Sequence, residues 1–122
     1  MEAKVNMKKT AVRFLFISCA ILGLYGISRW NFLFLHALVE TAAIGISWVI
    51  ATIVWNARAR IQNQFILICG LSFAVVGALE MLHLYSVVGM NVFPVNTPDL
   101  EAQFWVSARL IQGSALLGGL MA

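Results

Sequence analysis

Charged residues are scarce in this chain. Asp, Glu, Lys and Arg make up 11% of its 122 residues, whereas a soluble domain has about 25%. Hydrophobic residues make up 61%, and the mean hydropathy is +0.90. These values exclude an ordinary soluble enzyme or binding domain and are typical of a membrane protein.

Catalytic and nucleic-acid-binding signatures are also missing. The two cysteines, Cys19 and Cys69, have no CxxC spacing, so we expect reduced packing residues rather than a disulfide or a metal pair. No HExxH or comparable motif is present, which argues against an intramembrane metal hydrolase, and we expect no enzyme activity. The net charge of +3 comes from basic residues divided among segment flanks, so no nucleic-acid partner is expected.

Four apolar segments approach or exceed the length of about 20 residues that a membrane-spanning helix needs. They are residues 11–28 (extendable to 30), 32–55, 65–88 and 102–122. The pattern predicts an all-α fold, a polytopic transmembrane helical bundle of four spans. We interpret the first segment as a signal anchor, because its apolar run continues past Cys19, with a cleaved signal peptide as the alternative.

The distribution of Lys and Arg predicts a cytoplasmic N-terminus. Basic residues flank the first segment on its N-terminal side and fill the loop between the second and third segments: Lys4, Lys8, Lys9, Arg13, Arg58 and Arg60. The first turn has only Arg29, and the loop of residues 89–101 has neither Lys nor Arg. Because cytoplasmic loops carry the excess of Lys and Arg, that loop is expected on the outer side.

Segment boundaries divide the chain into two parts. Residues 1–30 form a cytoplasmic N-terminus and the first transmembrane helix, and residues 31–122 form helices two to four. Thr97 is expected to cap the fourth helix, with Pro98 at its first position. Because the fourth segment reaches the last residue, we expect the chain to be a fragment or a truncated gene product.

Ionisable residues occur at matched depths in the apolar segments. His36 and Glu40 share one helix face, and so do Glu80 and His83, because their spacings are i,i+4 and i,i+3. With a rise of about 1.5 Å per residue, both histidines lie roughly 7 Å below the outer helix ends, and Arg109 reaches the same layer. A charge at the bilayer centre costs roughly 3 kcal/mol on insertion scales, so these side chains should face a partner, a cavity or a ligand.

Two interpretations of this layer stay open. In the first, Arg109 pairs with Glu40 or Glu80 and the histidines are hydrogen-bond partners in a folding network. In the second, all five residues, including His36 and His83, frame a binding site. The two histidines and two glutamates suit Zn, Fe, Mn or Cu, and two facing histidines could ligate haem. An imidazole can also sense protons without a ligand, and a quinone or another small amphiphile would fit too. The sequence does not choose among these.

Five stretches in order resemble the third class of bacterial membrane-associated sensor domains, the MASE group, from about Asn31 to the end. They are LHALVE at 35–40, WNAR at 55–58, LEMLH at 79–83, GMNVFP at 89–94 and QFWVSAR at 103–109. The chain departs from the usual family pattern at Leu35, where the family has Phe, and at Glu80, where Asp is common.

The resemblance implies an integral-membrane input domain of a bacterial inner-membrane signalling protein, of which residues 31–122 would be roughly the first half. Its implied partners are the lipid bilayer and C-terminal signalling modules, namely a histidine kinase, a diguanylate cyclase or a phosphodiesterase. A homodimer is a further expectation. The alternative function is a small proton-handling or metal-handling transporter or channel subunit, because paired Glu and His can relay protons.

Overall fold

The structure is a computed structural model that describes residues 2–94 and 97–122, with side chains from Lys8 onward. Its four α-helices are α1 (Glu2–Trp30), α2 (Phe32–Ala57), α3 (Gln64–Ser86) and α4 (Pro98–Met121), and the described residues contain no strand. The all-α class is therefore confirmed. Each helix corresponds to one predicted apolar segment. Polar residues extend α1 and α4 at their starts and α2 at its end, because hydropathy marks only the apolar part of a helix. The third helix instead ends at Ser86, two residues before the end of the predicted segment 65–88.

Three helices are long and apolar enough to cross a membrane, namely Lys8–Trp30 within α1, α2 and α3. This agrees with a multi-pass membrane protein. The fourth helix, α4, has a suitable length of 24 residues, but Arg109 and Gln112 interrupt its apolar stretch. The four-span topology and the cytoplasmic N-terminus therefore stay predictions.

Residues 1–36 and 37–122 form two units, and the boundary between them falls inside α2. In the first unit, no side chain from Lys8 to Trp30 is buried, and Cys19 is exposed rather than packed.

Asn31 separates the first two helices, and its Oδ1 accepts a hydrogen bond from the backbone N–H of Phe34 at 3.0 Å. That bond satisfies one of the donors that a helix start leaves unpaired.

In the second unit, glycines let α2 and α3 approach closely. A Cβ atom added at Gly70 would collide with the side chain of Val54, and one added at Gly77 would lie 2.8 Å from Nε1 of Trp48. Small residues of this kind allow close backbone contact between membrane helices, where van der Waals packing is a main source of helix association.

The contact between α3 and α4 has the same character. A Cβ atom added at Gly119 would lie 2.9 Å from Cδ2 of Phe65, and Ala108 is 0% exposed. The thiol of Cys69 donates to the carbonyl oxygen of Ala115 at 3.6 Å, which gives this cysteine a packing role. The third helix is thus in contact with both α2 and α4.

The start of α4 is set by its cap. Thr97 has an extended backbone and its Oγ1 accepts a hydrogen bond from the N–H of Leu100 at 3.3 Å. Pro98 is the first helical residue, so the predicted cap is confirmed. In the preceding loop, Gly89 has a φ of 107°, a conformation that residues with a Cβ rarely adopt. Residues 95 and 96 of this loop lie outside the described residues.

Candidate functional site

Two ionisable side chains of α3 are buried in the second unit. Glu80 is 3% exposed and His83 is 5% exposed. They are three residues apart and therefore on one helix face. Burial of two such groups is costly unless each has a polar partner, so the neighbouring helices must supply those partners.

The partner of Glu80 comes from α4. Nη2 of Arg109 donates to Oε1 of Glu80 at 2.6 Å. Nη1 of the same guanidinium donates to Oε1 of Gln112 at 2.7 Å, and its Cζ lies 5.8 Å from the ring centroid of Trp105. The guanidinium thus bonds to two side chains and lies near a ring, and through Glu80 it links α4 to α3.

The second carboxylate oxygen of Glu80 is not satisfied in the same way. Oε2 is buried and has no hydrogen-bond partner within the described part of the chain. In folded proteins about 90% or more of buried backbone polar groups, and most buried side-chain polar atoms, have a partner. This oxygen therefore marks a place where a water, a proton or a polar ligand group would be stabilised.

The ring of His83 is oriented by the first turn of α4. Its Nδ1 lies 2.9 Å from the carbonyl oxygen of Glu101. Because a carbonyl oxygen can only accept, Nδ1–H is the donor, and in the neutral ring Nε2 then carries the basic lone pair. Histidines that bind metals commonly show this arrangement, with the second nitrogen donating to a backbone carbonyl or a carboxylate.

The residue that α2 brings to His83 is Glu40. One carboxylate oxygen of Glu40 and one ring nitrogen of His83 lie within 4.8 Å of each other. Glu40 is half-buried, and no lysine or arginine pairs with it among the residues that the structure describes. Its negative charge therefore lacks the guanidinium neutralisation that Glu80 has.

His36 lies one turn before Glu40 on the same uninterrupted helix. The i,i+4 spacing puts the two residues on one face of α2. The ring of His36 stacks on Phe32 with centroids 6.2 Å apart, and its Nε2 is shielded from solvent. The helix α2 thus presents an imidazole and a carboxylate side by side.

The model of the MASE3 family, a membrane-associated sensor domain, matches residues 27–122. The chain belongs to the MASE3 family. This confirms the resemblance to the family that five short stretches of the sequence indicated. No curated protein and no solved structure matches the chain. The matched range includes all five candidate site residues of this MASE3 domain, although the match does not assign a role to any of them.

The five predicted site residues fall into two groups in the structure. Arg109 pairs with Glu80 across α3 and α4, whereas Glu40 approaches His83 across α2 and α3, and His36 precedes Glu40 by about one turn on α2. The sequence predicted one layer in which Glu40 and Glu80 shared a depth. In the structure, an oxygen of Glu40 lies within 4.8 Å of a ring nitrogen of His83.

Sequence reasoning missed two contributors to this region. One is the backbone carbonyl of Glu101, which orients His83. The other is Ser86, which is 0% exposed and whose Oγ donates to the carbonyl oxygen of His83 at 2.7 Å. A backbone carbonyl has no sequence signal. A serine three residues after a predicted site histidine does have one, since serine hydroxyls bond back to the preceding turn.

Proposed function

We propose that this MASE3 domain is the sensory input domain of a bacterial signalling protein of the inner membrane. Family membership over residues 27–122 is the observation that carries the proposal. Three apolar helices of spanning length support a multi-pass membrane location. The buried ionisable residues of α3 supply a place where a stimulus would change charge or ligation.

The proposed topology has four spans and a cytoplasmic N-terminus. The positive residues of the loop that contains Arg58 and Arg60 support this orientation. The 24 residues of α4 are long enough to cross a bilayer, and its pairing of Arg109 with Glu80 reduces the cost of placing a guanidinium there. We place the loop after α3 on the outer side of the membrane.

Topology is testable with reporter fusions after Ala59 and after Pro94. A reporter that is active only in the cytoplasm should give a signal at Ala59 and none at Pro94, and a reporter active only outside should give the reverse. Equal signals at both positions would contradict the four-span arrangement.

For signal transmission we propose a change of helix packing that starts at His83. The ring is bonded to the first turn of α4 and lies near Glu40 of α2, so a change in its charge or ligation acts on three helices. A histidine kinase, diguanylate cyclase or phosphodiesterase joined to the domain would respond to that change. The choice of these outputs is by analogy with the family.

Substitution in the protein that joins this domain to its output module tests the sensory role. His83→Ala should abolish the dependence of kinase or cyclase activity on the stimulus while the protein still accumulates in the membrane. Ser72→Ala is a matched control, because its hydroxyl bonds within α3 to Cys69 and should leave the response unchanged. A normal response in the His83 variant would contradict a sensory role for the imidazole.

A proton-handling or metal-handling transporter subunit is a second candidate. The approach of Glu40 to His83 favours it, since chains of such groups relay protons in membrane proteins. Proton flux into liposomes that contain the protein separates the two functions. A proton flux that Glu40→Gln abolishes would favour transport, whereas liposomes that show no proton flux would favour sensing.

A further inference from the structure

We propose that Glu80 and Arg109 bind the head group of a neutral, lipid-soluble hydroquinone. A phenolic hydroxyl of such a molecule would donate to Oε2 of Glu80, and the same oxygen would accept from the guanidinium of Arg109. The inference goes beyond the proposed sensory function. It uses the proposed topology in one respect, since it takes α4 as a membrane-spanning helix, and its residues all belong to the unit of residues 37–122.

The carboxylate of Glu80 needs one more hydrogen-bond donor. Its Oε1 accepts from Nη2 of Arg109 at 2.6 Å, whereas its Oε2 is buried and has no partner within the described part of the chain. An ionised carboxylate only accepts hydrogen bonds, and a buried acceptor that lacks a donor is costly. The position beside Oε2 therefore favours a ligand that carries an O–H or N–H group.

The guanidinium of Arg109 supplies the complementary group. It has five N–H donors, and among the described residues it uses two of them, for Glu80 and Gln112. The Arg109 side chain is 41% exposed, whereas that of Glu80 is 5% exposed. The guanidinium is thus the accessible member of the pair. Its other N–H groups can bind a ligand oxygen, and the exposed side gives the long side chain space to move and admit a head group.

Charge and depth favour a neutral, lipid-soluble ligand. Glu80 and Arg109 together carry no net charge, so a charged ligand would bring an uncompensated charge into the membrane, which is costly. Glu80 lies six residues before the end of α3 and Arg109 eleven residues after the start of α4, which correspond to about 9 Å and about 16 Å along the helices. Both depths exceed the interfacial layer of about 5–8 Å on each side of a bilayer, so phospholipid head groups and water-soluble ions are disfavoured.

An aromatic ring fits the surroundings of the guanidinium. The Cζ atom of Arg109 lies 5.8 Å from the ring centroid of Trp105, and Trp105 is 46% exposed. Guanidinium and aromatic planes both stack on flat rings. Val106 lies about one turn before Arg109 on α4 and is also 46% exposed, which offers apolar surface to a hydrocarbon tail. A flat ring with a hydroxyl group and an apolar tail is the structure of a lipid-soluble hydroquinone.

The need for a donor distinguishes the reduced ligand from its oxidised form. A hydroquinone has O–H groups, whereas a quinone has only carbonyl oxygens, which accept hydrogen bonds. The quinone can bind Arg109 but leaves Oε2 of Glu80 without a donor. We therefore expect the reduced form to bind more tightly by at least about tenfold, since a hydrogen bond to a charged group corresponds to about 10- to 150-fold in affinity.

Thermal unfolding of the purified chain in detergent tests the hydroquinone site, with decylubiquinol and decylubiquinone as the probes. A ligand that binds only the folded state raises the unfolding temperature, and the dependence on ligand concentration gives its affinity. Decylubiquinol, kept reduced with dithionite, should stabilise the chain at a concentration at least about tenfold lower than decylubiquinone. 1-Decanol has a hydroxyl and a tail but no ring, and equal stabilisation by it would overturn the aromatic ligand.

Glu80→Gln is the most specific variant, because it should reverse the preference. The amide oxygen keeps the bond to Arg109, and the amide NH₂ group then stands where the carboxylate had an acceptor. This variant should bind decylubiquinone more tightly than decylubiquinol, a change that loss of folding would not produce. Glu101→Gln, the same substitution in the first turn of α4, is the matched control and should keep the preference for decylubiquinol. An unreversed preference in the Glu80 variant, or a reversed one in the control, would overturn the hydroquinone site.

Infrared difference spectroscopy provides a measurement at the carboxylate itself. Addition of decylubiquinol should shift a carboxylate stretching band in the unmodified chain and in Glu101→Gln, and the shift should be absent in Glu80→Gln. A helical, monodisperse chain that shows neither stabilisation nor a shifted band would overturn the hydroquinone site and would favour a buried water beside Oε2.

Failure of the hydroquinone site and failure of the sensory function give different results. Binding is measured on the chain without an output module, so a joined kinase or cyclase that responds to no stimulus leaves the hydroquinone site standing. If the chain binds neither decylubiquinol nor decylubiquinone while a joined kinase or cyclase responds to a stimulus, the hydroquinone site is wrong and the sensory function stands.

Discussion

Two carboxylates of this domain lie in contrasting surroundings. Glu80 is 3% exposed and bonds to the guanidinium of Arg109 at 2.6 Å. Glu40 is half-buried and approaches the ring of His83 within 4.8 Å. The first carboxylate faces a guanidinium, which is always charged, and the second faces an imidazole ring, whose nitrogens can donate or accept a hydrogen bond.

The difference indicates two roles. We call the ion pair of Glu80 with Arg109 the frame, because it links two helices, and we call Glu40 with His83 the site. An ion pair that is also bonded to Gln112 links α3 to α4. A carboxylate beside an imidazole has no such guanidinium to hold it. We therefore expect loss of the first pair to act on stability and loss of the second to act on the response to a stimulus.

The largest expected effect is that of Arg109→Met. It removes the guanidinium and leaves Glu80 buried without its counter-charge. Breaking a fully buried pair from one side costs about 3–5 kcal/mol, and because the Arg109 side chain is 41% exposed, we expect a loss near the lower end of that range. The variant should accumulate poorly in membranes and unfold at a markedly lower temperature in detergent, as circular dichroism would measure.

The double variant Glu80→Gln with Arg109→Met is the control for that explanation. It removes both charges, and replacement of a complete buried ion pair is often close to neutral. Most of the lost stability should therefore return. A double variant as unstable as Arg109→Met would show that the guanidinium acts through packing on Trp105 rather than through charge.

The sequence predicted these two groups unequally. Helix spacing was enough to place His36 with Glu40 and Glu80 with His83, because a helix fixes which residues share a face. Hydropathy also predicted the four helices, and Thr97 predicted the start of α4. The sequence could not predict which carboxylate meets which partner, because that depends on how α2 packs against α3. This tertiary packing includes the close contacts of Gly70 with Val54 and of Gly77 with Trp48, whose partners no local pattern identifies.

Gly70→Ala tests that packing and should have the next largest effect. The added Cβ would collide with Val54, and overpacking of this kind costs about 1–3 kcal/mol. Because α2 must move away from α3, the variant should also weaken the approach of Glu40 to His83. Thermal unfolding in detergent measures the loss of stability.

Gly113→Ala on α4 is the matched control. A Cβ atom there would meet nothing within 4 Å, and alanine is favoured over glycine in a helix by about 1 kcal/mol. This variant should be as stable as the unmodified chain or slightly more so.

In the Gly70 variant, a second change of Val54→Ala should restore part of the stability. No recovery would mean that the close contact of α2 and α3 is not at Val54.

Thr97→Ala should cost about 1 kcal/mol, the typical loss for an N-cap hydroxyl. The bond from Leu100 to Oγ1 of Thr97 is lost, so the first turn of α4 frays, and the carbonyl of Glu101 holds the ring of His83 less firmly. Thermal unfolding in detergent measures the loss. Thr97→Ser keeps the hydroxyl and should restore the stability; equal loss in the serine variant would rule out the cap as the cause.

The smallest stability effect should come from Glu40→Gln. The amide has the shape of the carboxylate, and no lysine or arginine among the described residues loses a partner. The free energy of unfolding in detergent should change by no more than about 0.5 kcal/mol, as for substitutions away from buried networks. Glu80→Gln is the direct comparison, because it weakens a charge-assisted bond to Arg109 and should cost about 1.5–3 kcal/mol. Equal stability losses in the two variants would mean that Glu40 belongs to the same fixed network as Glu80, and the distinction between frame and site would then fail.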